Sequence, residues 1–356
     1  MTVAAKRLET APRVEARGVS LRAGLVVVVF LFVALVVGIA VGPTYIGLGG
    51  ILRSALSYVP GLHVHDTLDT QSHGIVWQIR APRVALAALV GGMLAIAGGS
   101  YQGVFRNPLA DPYLLGVAGG AGLGATLAIV YSVTAVGGRW SVPLAAFVGA
   151  IAAVALTYAL GRSAGAGRTT GALVLAGVTV ATFTAAVQTF VQQRHADVLQ
   201  NVYAWLLGGF NLSTWSKVAL CAPYIAVSSI VLLLHRRVLD VLSLGDDEAA
   251  SLGVNVARAR LTIVFAATLG TAAAVSVSGL IAFVGIIVPH TIRLLVSTSY
   301  RAVLPLSLAA GAGFLVLTDV LARTINSPEE LPIGVVTAFF GAPFFAVVLR
   351  TSRSMR

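Results

Sequence analysis

The stretch FRNPLADPYLLGVAGGAGLGA, residues 105–125, places a short polar segment between two long apolar runs. Its first eight residues include Arg106, Asn107, Pro108, Asp111 and Pro112. Proline has no amide hydrogen to donate and ends helices. Small residues at helical spacing, as in GAGLGA, let transmembrane helices approach closely. The pattern therefore predicts a sharp polar turn between two apolar helices, the second of which packs tightly against its neighbours.

The composition places the chain among polytopic membrane proteins. Of its 356 residues 57% are apolar and 10% charged, whereas a soluble domain carries about 25% charge. The net charge of +11 fits basic residues that hold loops on the cytoplasmic side of a membrane. Nucleic-acid binding is not indicated, because the chain has no basic stripe interleaved with aromatic residues. The single cysteine, Cys221, excludes an internal disulfide and a cysteine-pair metal site.

The fold class that follows is an all-α integral membrane protein with ten transmembrane helices, since runs this long must satisfy their backbone groups as helices. Both termini are expected inside, because 17 of the 24 Lys and Arg residues then lie in cytoplasmic segments. The domain boundaries are a cytoplasmic tail (1–22), a ten-helix domain (23–350) and a second tail (351–356). The ten predicted spans are 23–42, 83–104, 113–132, 141–160, 172–192, 218–235, 259–276, 280–297, 303–322 and 332–350.

The cytoplasmic segment 236–260 carries the clearest sign of a partner. Within it, SLGDDEAASLGV (243–254) has two glycines around an acidic turn and an Ala/Leu stretch. Acidic residues favour a helix N-terminus, so the segment predicts a short amphipathic helix ended by glycine. A solvated connecting loop is the plainer alternative. A structured helix in that place favours a docking site for another protein.

Three functional classes are compared. An ATP-driven motor would need a phosphate-binding GxxxxGK[ST] loop, but neither of the two lysines follows a glycine, so ATP hydrolysis is expected on a separate subunit. An ion-coupled secondary transporter would usually carry carboxylates at the membrane midplane, whereas every Asp and Glu here lies in a tail, in a loop or near the end of a span. A membrane enzyme would need a cluster of polar catalytic groups, and none is found. No catalytic residue, metal site or resident cofactor is expected.

Several segments together resemble the FecCD family, the permease subunits of type II ABC importers for ferric siderophores, haem and cobalamin. The resemblance runs in order from about residue 78 to 350, and the N-terminal tail and first span match only in character. Besides the opening stretch, the matching segments are QIRAPR (78–83), WLLGGFNLSTW (205–215), SLGDDEAASLGV (243–254), SGLIAFVGIIVPHTIRLL (278–295), YRAVLPLSLAAGAGFLVLTDVLAR (300–323) and ELPIGVVTAFFGAPFF (330–345).

The resemblance implies a ten-helix permease of the bacterial plasma membrane that forms a homodimer, or a heterodimer with a homologue. Its implied partners are two cytoplasmic ABC ATPase subunits, which bind ATP and Mg²⁺, and an extracytoplasmic substrate-binding protein. Transport would proceed by alternating access. Ferric siderophore is the first choice of cargo on family frequency, with haem and cobalamin next.

The resemblance also implies roles for particular residues. The cytoplasmic gate would involve Asn107 and Leu109, with Thr170 and Gly171 at the start of the fifth span. Structural capping is the alternative role for these residues. The coupling helix that seats in the ATPase would comprise Leu244, Gly245, Asp246, Asp247, Glu248, Ala249, Ala250, Leu252 and Gly253.

On the outer side, Arg80, Arg83 and Arg323 would receive acidic residues of the binding protein. Snorkelling toward the membrane surface is the alternative for Arg80 and Arg83. An ion pair with Asp319, four residues earlier on one helix, is the alternative for Arg323. His63, His65 and His73 form a tempting metal or haem constellation, but solvated loop histidines are the simpler interpretation because no firm third ligand accompanies them.

Overall fold

The ten predicted apolar spans all fall on helices. The computed structural model of the protein describes residues 19–131, 138–163 and 170–353, so most of the predicted N-terminal tail and residues 354–356 of the C-terminal tail lie outside the described residues. The helices are α1 (Leu21–Ala40), α2 (Leu48–Ser57), α3 (Thr70–Gly74), α4 (Ala81–Val104), α5 (Val117–Val130), α6 (Ser141–Ser163), α7 (Thr170–Arg194), α8 (Leu199–Leu206), α9 (Trp215–Leu234), α10 (Arg236–Leu242), α11 (Asp246–Ser251), α12 (Val256–Ser278), α13 (Val284–Leu295), α14 (Tyr300–Thr324) and α15 (Ile333–Arg353).

Within the described parts of the chain, seven helical segments are long and apolar enough to cross a membrane. The helices α5, α13 and the apolar part of α15 are shorter than 18 residues, below the ~20 residues of a full perpendicular crossing. The helical class and the membrane-spanning character are therefore confirmed, while the count of ten crossings and the orientation of the termini stay predictions.

Helix α4 is the centre of the bundle. All but three of its 24 residues are buried, and α9, α12, α13 and α14 pack around it. Glycines make the closest contacts possible: a Cβ at Gly98 would collide with the backbone of Gly285 in α13, and one at Gly91 with the carbonyl of Gly311 in α14. In α5, a Cβ at Gly120 would collide with the carbonyl of Gly149 in α6, which confirms the interpretation of the GAGLGA pattern as a packing signal.

The segment between the first two predicted spans, which the hydropathy pattern leaves outside the membrane, is more ordered than expected. It contains α2, and α3 continues through a π-helical stretch (Ile75–Arg80) into α4. The second predicted span therefore lies at the end of a longer helix that starts at Thr70 rather than at residue 83. Local hydropathy missed this extension because its residues are polar, and tertiary contacts made by Trp77 and Arg80 hold it.

The connections gather at two ends of the bundle. We call the end with residues 105–116, 236–255 and 296–299 the Asp246 end, because Asp246 and Asp240 tie these segments together. We call the end with residues 41–80, 207–214 and 325–332 the Arg83 end, where Arg80 bonds to Thr44, Trp215 to Trp77 and Arg83 to Glu330. The predicted topology makes the Asp246 end cytoplasmic and the Arg83 end extracytoplasmic.

Candidate functional site

The polar turn predicted between the second and third spans is confirmed. Helix α4 ends at Val104 and α5 begins at Val117. The side chain of Asn107 accepts the amide hydrogen of Leu109 at 2.9 Å, and that of Asp111 accepts the amide hydrogen of Tyr113 at 2.8 Å. Arg106 has a φ of +49°, a left-handed conformation that is uncommon outside glycine and is often found at functional sites.

Burial raises the pKa of Asp111 to about 6, although the amide of Tyr113 opposes the shift by hydrogen bonding to the charged form. The Tyr113 hydroxyl in turn donates to the carbonyl oxygen of Ile281 at 2.9 Å. These contacts fasten the turn to the segment that precedes α13.

The short acidic helix predicted within 236–260 is also present. It is α11, with Asp246, Asp247 and Glu248 in its first turn, where they favour the positive end of the helix dipole. Gly245 and Gly253 bracket it with φ values of +143° and +82°, which disfavour any residue with a Cβ. Ala249 is buried and anchors the helix to the bundle.

The outer surface of this segment is apolar at both ends of α11. Leu244 is 58% exposed and Leu252 is 63% exposed, while Asp247, Glu248 and Ala250 are exposed between them. Two exposed leucines around a charged helix, at the end of the bundle, form a small patch suited to the centre of a protein interface.

An ion-pair bridge joins α11 to the polar turn. The guanidinium of Arg106 donates to Oδ1 of Asp246 at 2.9 Å, and Arg260 at the start of α12 donates to the same carboxylate at 3.1 Å. Asp246 therefore connects three elements: the turn, α11 and α12. Sequence reasoning placed Asp246 in the coupling segment and Arg106 in the turn but did not pair them.

Two further polar contacts brace the same end. Asp240 accepts the Ser299 hydroxyl at 2.8 Å and the Tyr300 amide at 2.6 Å, which fixes α10 to the N-terminus of α14. Arg293 of α13 donates to the side chain of Gln102 in α4, and its guanidinium lies 5.2 Å from the centre of the Tyr300 ring. Neither Asp240 nor Arg293 was singled out from the sequence.

Of the predicted gate residues, Asn107 and Leu109 lie in the polar turn, the first exposed and the second half-buried. Thr170 and Gly171 begin α7, and Gly171 is exposed with open space around it. The side chain of Thr170 lies outside the described residues. The structure shows a capping contact for Asn107, and the gate role of all four stays a prediction.

The predicted docking arginines are bound inside the protein at the Arg83 end. Arg80 donates to the backbone carbonyls of Ile39, Ala40 and Thr44. Arg83 donates to Asp319 at 2.8–3.0 Å and to Glu330 at 2.7 and 3.1 Å. Both are buried, so neither snorkels with its guanidinium in water.

Arg323 is buried as well. It donates to the carbonyl of Gly38 and lies 3.7 Å from Asp319, so the ion pair suggested by their spacing is present. Each of the three arginines thus has an internal structural partner in α1, α14 or the adjoining loops. Docking of a binding protein at these residues stays a prediction. Sequence reasoning missed Glu330 and the pairing of Arg83 with Asp319.

The structure places the three loop histidines in different surroundings. His73 lies 3.0 Å from the Tyr58 hydroxyl and 3.5 Å from a carboxylate oxygen of Asp66, while His63 and His65 are exposed. Hydrogen bonds from the Leu68 amide and the Ser54 hydroxyl lower the pKa of Asp66. Among the residues that the structure describes, no group of three His, Cys, Asp or Glu side chains is arranged to hold a metal ion.

Comparison with known proteins gives one consistent result. The FecCD transport family profile matches residues 28–351. The chain is 40% identical to a cobalamin import system permease, BtuC, of Halobacterium salinarum, over 85% of this chain and 80% of that one. It is 36% identical to the hemin transport system permease HmuU of Yersinia pestis, over 87% and 93%. A metal-chelate type ABC transporter solved in an inward-facing conformation superposes with a TM-score of 0.80 at 28% identity, covering 92% of this chain and 98% of that one.

Proposed function

Because this chain belongs to the FecCD transport family, we propose that it is the plasma-membrane permease subunit of an ATP-driven importer, which passes a metal chelate to the cytoplasm by alternating access. Permeases of this kind are not themselves catalytic. The chain works as a dimer, homomeric or with a homologue, alongside two ATPase subunits that bind ATP and Mg²⁺ and an extracytoplasmic binding protein. It needs no cofactor of its own.

The observation that carries the proposal is the surface at α11. Leu244 and Leu252 expose apolar side chains on either side of three acidic residues, on a helix held to the bundle by Ala249. Nothing in the described residues covers these leucines. An ATPase subunit with an apolar groove and a basic rim is the partner that such a helix fits.

The bridge from Arg106 to Asp246 supplies a route from this surface to the translocation pathway. A displacement of α11 pulls on the carboxylate of Asp246 and hence on Arg106, which lies in the strained turn next to Asn107 and Leu109. Pro108 and Pro112 keep the turn out of the two adjoining helices. Motion of the ATPase is thereby converted into motion of the turn, and the same carboxylate carries it to α12 through Arg260.

The cargo is a metal chelate, with a ferric siderophore as first choice and haem or cobalamin next. The superposition on a metal-chelate transporter supports this class, as do the relatives for cobalamin and haemin. An ion-coupled secondary transporter is the second candidate. Asp319 is the buried carboxylate that such a mechanism would use, but it is neutralised by Arg83.

The proposal is tested by reconstituting the chain with its cognate ATPase in liposomes, and by supplying binding protein loaded with a ferric siderophore, haemin or cobalamin. We expect one of these to be taken up only when ATP is present on the ATPase side. Uptake without the ATPase, driven by an ion gradient, would overturn the proposal in favour of secondary transport.

The Leu252→Asp variant sharpens this test. A carboxylate in the apolar patch prevents the ATPase from burying that position, so we expect ATP-driven uptake to fall about tenfold or more, as for loss of an interface anchor. The melting temperature of the isolated permease stays unchanged, since Leu252 is exposed. Ser251→Asp, an exposed neighbour outside the apolar patch, is the matched control and retains uptake.

A further inference from the structure

A cavity of about 530 Å³ opens near the Arg83 end, between the ends of α5, α6, α9 and α12 and the helix α8. Its volume lies within the range of small-molecule sites, about 300–1,000 Å³. Trp140, Trp205 and Leu212 give it apolar walls. The predicted topology places it on the extracytoplasmic side, where cargo would arrive.

One cation faces this cavity without a partner. Lys217, in the first turn of α9, lines the cavity and is half-buried. Its ammonium group makes no hydrogen bond or ion pair with any residue that the structure describes. None of the residues lining the cavity carries a carboxylate. A cation that is partly removed from water and left unpaired is unfavourable, so the cavity favours an anionic occupant.

Further donors surround the same space. The side-chain amides of Asn201 and Asn211 line the cavity and are not engaged in hydrogen bonds with described residues. The N-terminus of the 20-residue helix α9 adds the positive end of a helix dipole beside Lys217. A lysine, amide donors and a helix N-terminus together recognise carboxylate or phosphate oxygens.

We propose that this cavity binds the acidic edge of the cargo, so that the permease selects a chelate bearing carboxylate or phosphate groups on an apolar or aromatic body. The inference rests on the proposed function and narrows its substrate class. Lys217 contacts the anionic group, Asn201 and Asn211 orient it, and the indole rings of Trp140 and Trp205 cover the flat or apolar part.

The competing use of Lys217 is attachment to lipid headgroups, since long basic side chains near helix ends reach toward the membrane surface. The two roles of Lys217 predict different losses of binding when the lysine is replaced. A cargo site depends on Lys217 for binding of a free anionic ligand. A lipid anchor depends on it for retention of anionic phospholipid.

The test uses the full chain in phosphatidylcholine nanodiscs, with haemin as an anionic probe and haemin dimethyl ester as its matched uncharged form. Binding is followed by quenching of tryptophan fluorescence. We expect wild-type protein to bind haemin about tenfold more tightly than the ester. This ratio corresponds to about 1.4 kcal/mol of binding free energy, because the ester lacks one charge-assisted contact. In Lys217→Gln the two probes should bind equally. Lys217→Arg should keep the preference.

Arg194→Gln is the charge-matched control. Arg194 ends α7, is exposed and stacks on Phe190 at 4.9 Å, and does not line the cavity. It should leave the preference for haemin intact. Equal size-exclusion profiles for all variants show that the fold is kept.

Two results overturn the inference. The first is an unchanged preference for haemin over the ester in Lys217→Gln. The second is a loss of phosphatidylglycerol retention in Lys217→Gln, in nanodiscs that contain that lipid, with haemin binding unaffected; this assigns Lys217 to the membrane. Either result leaves the proposed function standing if ATP-driven uptake is observed. Conversely, if uptake does not depend on ATP, the proposed function is wrong, whatever the result of the haemin-binding experiment.

Discussion

The two ends of the bundle hold their charges in opposite ways. At the Arg83 end, Asp319 is 1% exposed and is bonded by Arg83 and approached by Arg323. At the Asp246 end, the side chains of Asp246 and Arg106 are 40% and 41% exposed. A carboxylate between two arginines is therefore buried at one end, whereas at the other end the contact between Arg106 and Asp246 is open to water and only Arg260, at 13% exposed, is largely covered.

The difference in burial sets how easily each cluster opens. Separating a buried pair leaves a charge in a medium that cannot solvate it, whereas water replaces the partner of an exposed ion. The buried arginines at the Arg83 end therefore hold α1, α4 and α14 together and resist separation. The Asp246 end holds the polar turn to α11 through a contact that breaks and re-forms at little cost, which suits the coupling role proposed for it.

The largest expected effect lies at the buried cluster. Asp319→Ala leaves Arg83 and Arg323 without their shared carboxylate, so we expect the free energy of unfolding to fall by about 3–5 kcal/mol. Denaturation of the purified permease in detergent measures it. Glu329→Gln, an exposed acid next to Glu330, is the control and should change stability little. A loss below about 1 kcal/mol in Asp319→Ala would show that the buried pairing is not structural.

A smaller effect is expected from Asp111, which is half-buried in the polar turn at the other end. Its pKa in the folded protein, about 6, lies above its ordinary value of about 3.9. The folded state therefore binds the proton more tightly than the unfolded state, and stability falls as pH rises between these values.

We expect the wild-type protein to lose about 1 kcal/mol of stability between pH 4.5 and 7, a value discounted for the partial exposure of this side chain. Asp111→Asn should remove this dependence. Melting temperatures recorded across that pH range provide the measurement. An equal slope in wild type and variant would assign the dependence to other groups.

The smallest stability effect belongs to the exposed bridge. Arg106→Gln should change the free energy of unfolding by less than about 1 kcal/mol. Asp246→Asn should cost somewhat more, because it also takes the carboxylate away from the largely buried Arg260. Each should nevertheless lower ATP-driven uptake about threefold, since changes along a coupling route are worth about 0.5–2 kcal/mol.

A double-mutant cycle separates the bridge from two independent effects. If Arg106 and Asp246 act through their contact, the double variant should transport no worse than either single variant. Losses that multiply instead, to about ninefold, would show that the two residues act separately.

Much of the fold was predictable because membrane helices leave local signals. Residues close together in the sequence are enough to predict the ten apolar runs, the turn at Pro108 and Pro112, and the helix α11 between its two glycines. The extension of α4 back to Thr70 was not predictable in this way. Residues 70–80 are too polar for a hydropathy pattern, and contacts of Trp77 and Arg80 with distant segments stabilise them.

The site residues divide in the same manner. The acidic turn of α11 and the ion-pair spacing of Asp319 and Arg323 could be read locally. The partner of Arg83 is 236 residues away, and that of Arg106 is 140 residues away. No spacing rule connects such distant positions. The internal hydrogen bonds of Arg80 and Arg83 could therefore not be predicted from the sequence.

By itself, the sequence determined that this protein is helical and membrane-embedded, that its helices are interrupted by the polar turn, and that it carries a short acidic helix between two glycines. These properties follow from composition and from periodicity over a few residues, which act through hydrophobic burial and local backbone geometry. The tertiary structure alone decided which charges are buried, that Asp246 bridges the polar turn, α11 and α12, and that Lys217 faces a cavity whose lining residues carry no carboxylate. Those outcomes depend on which helices meet, because the energy of a charge is set by what surrounds it in space.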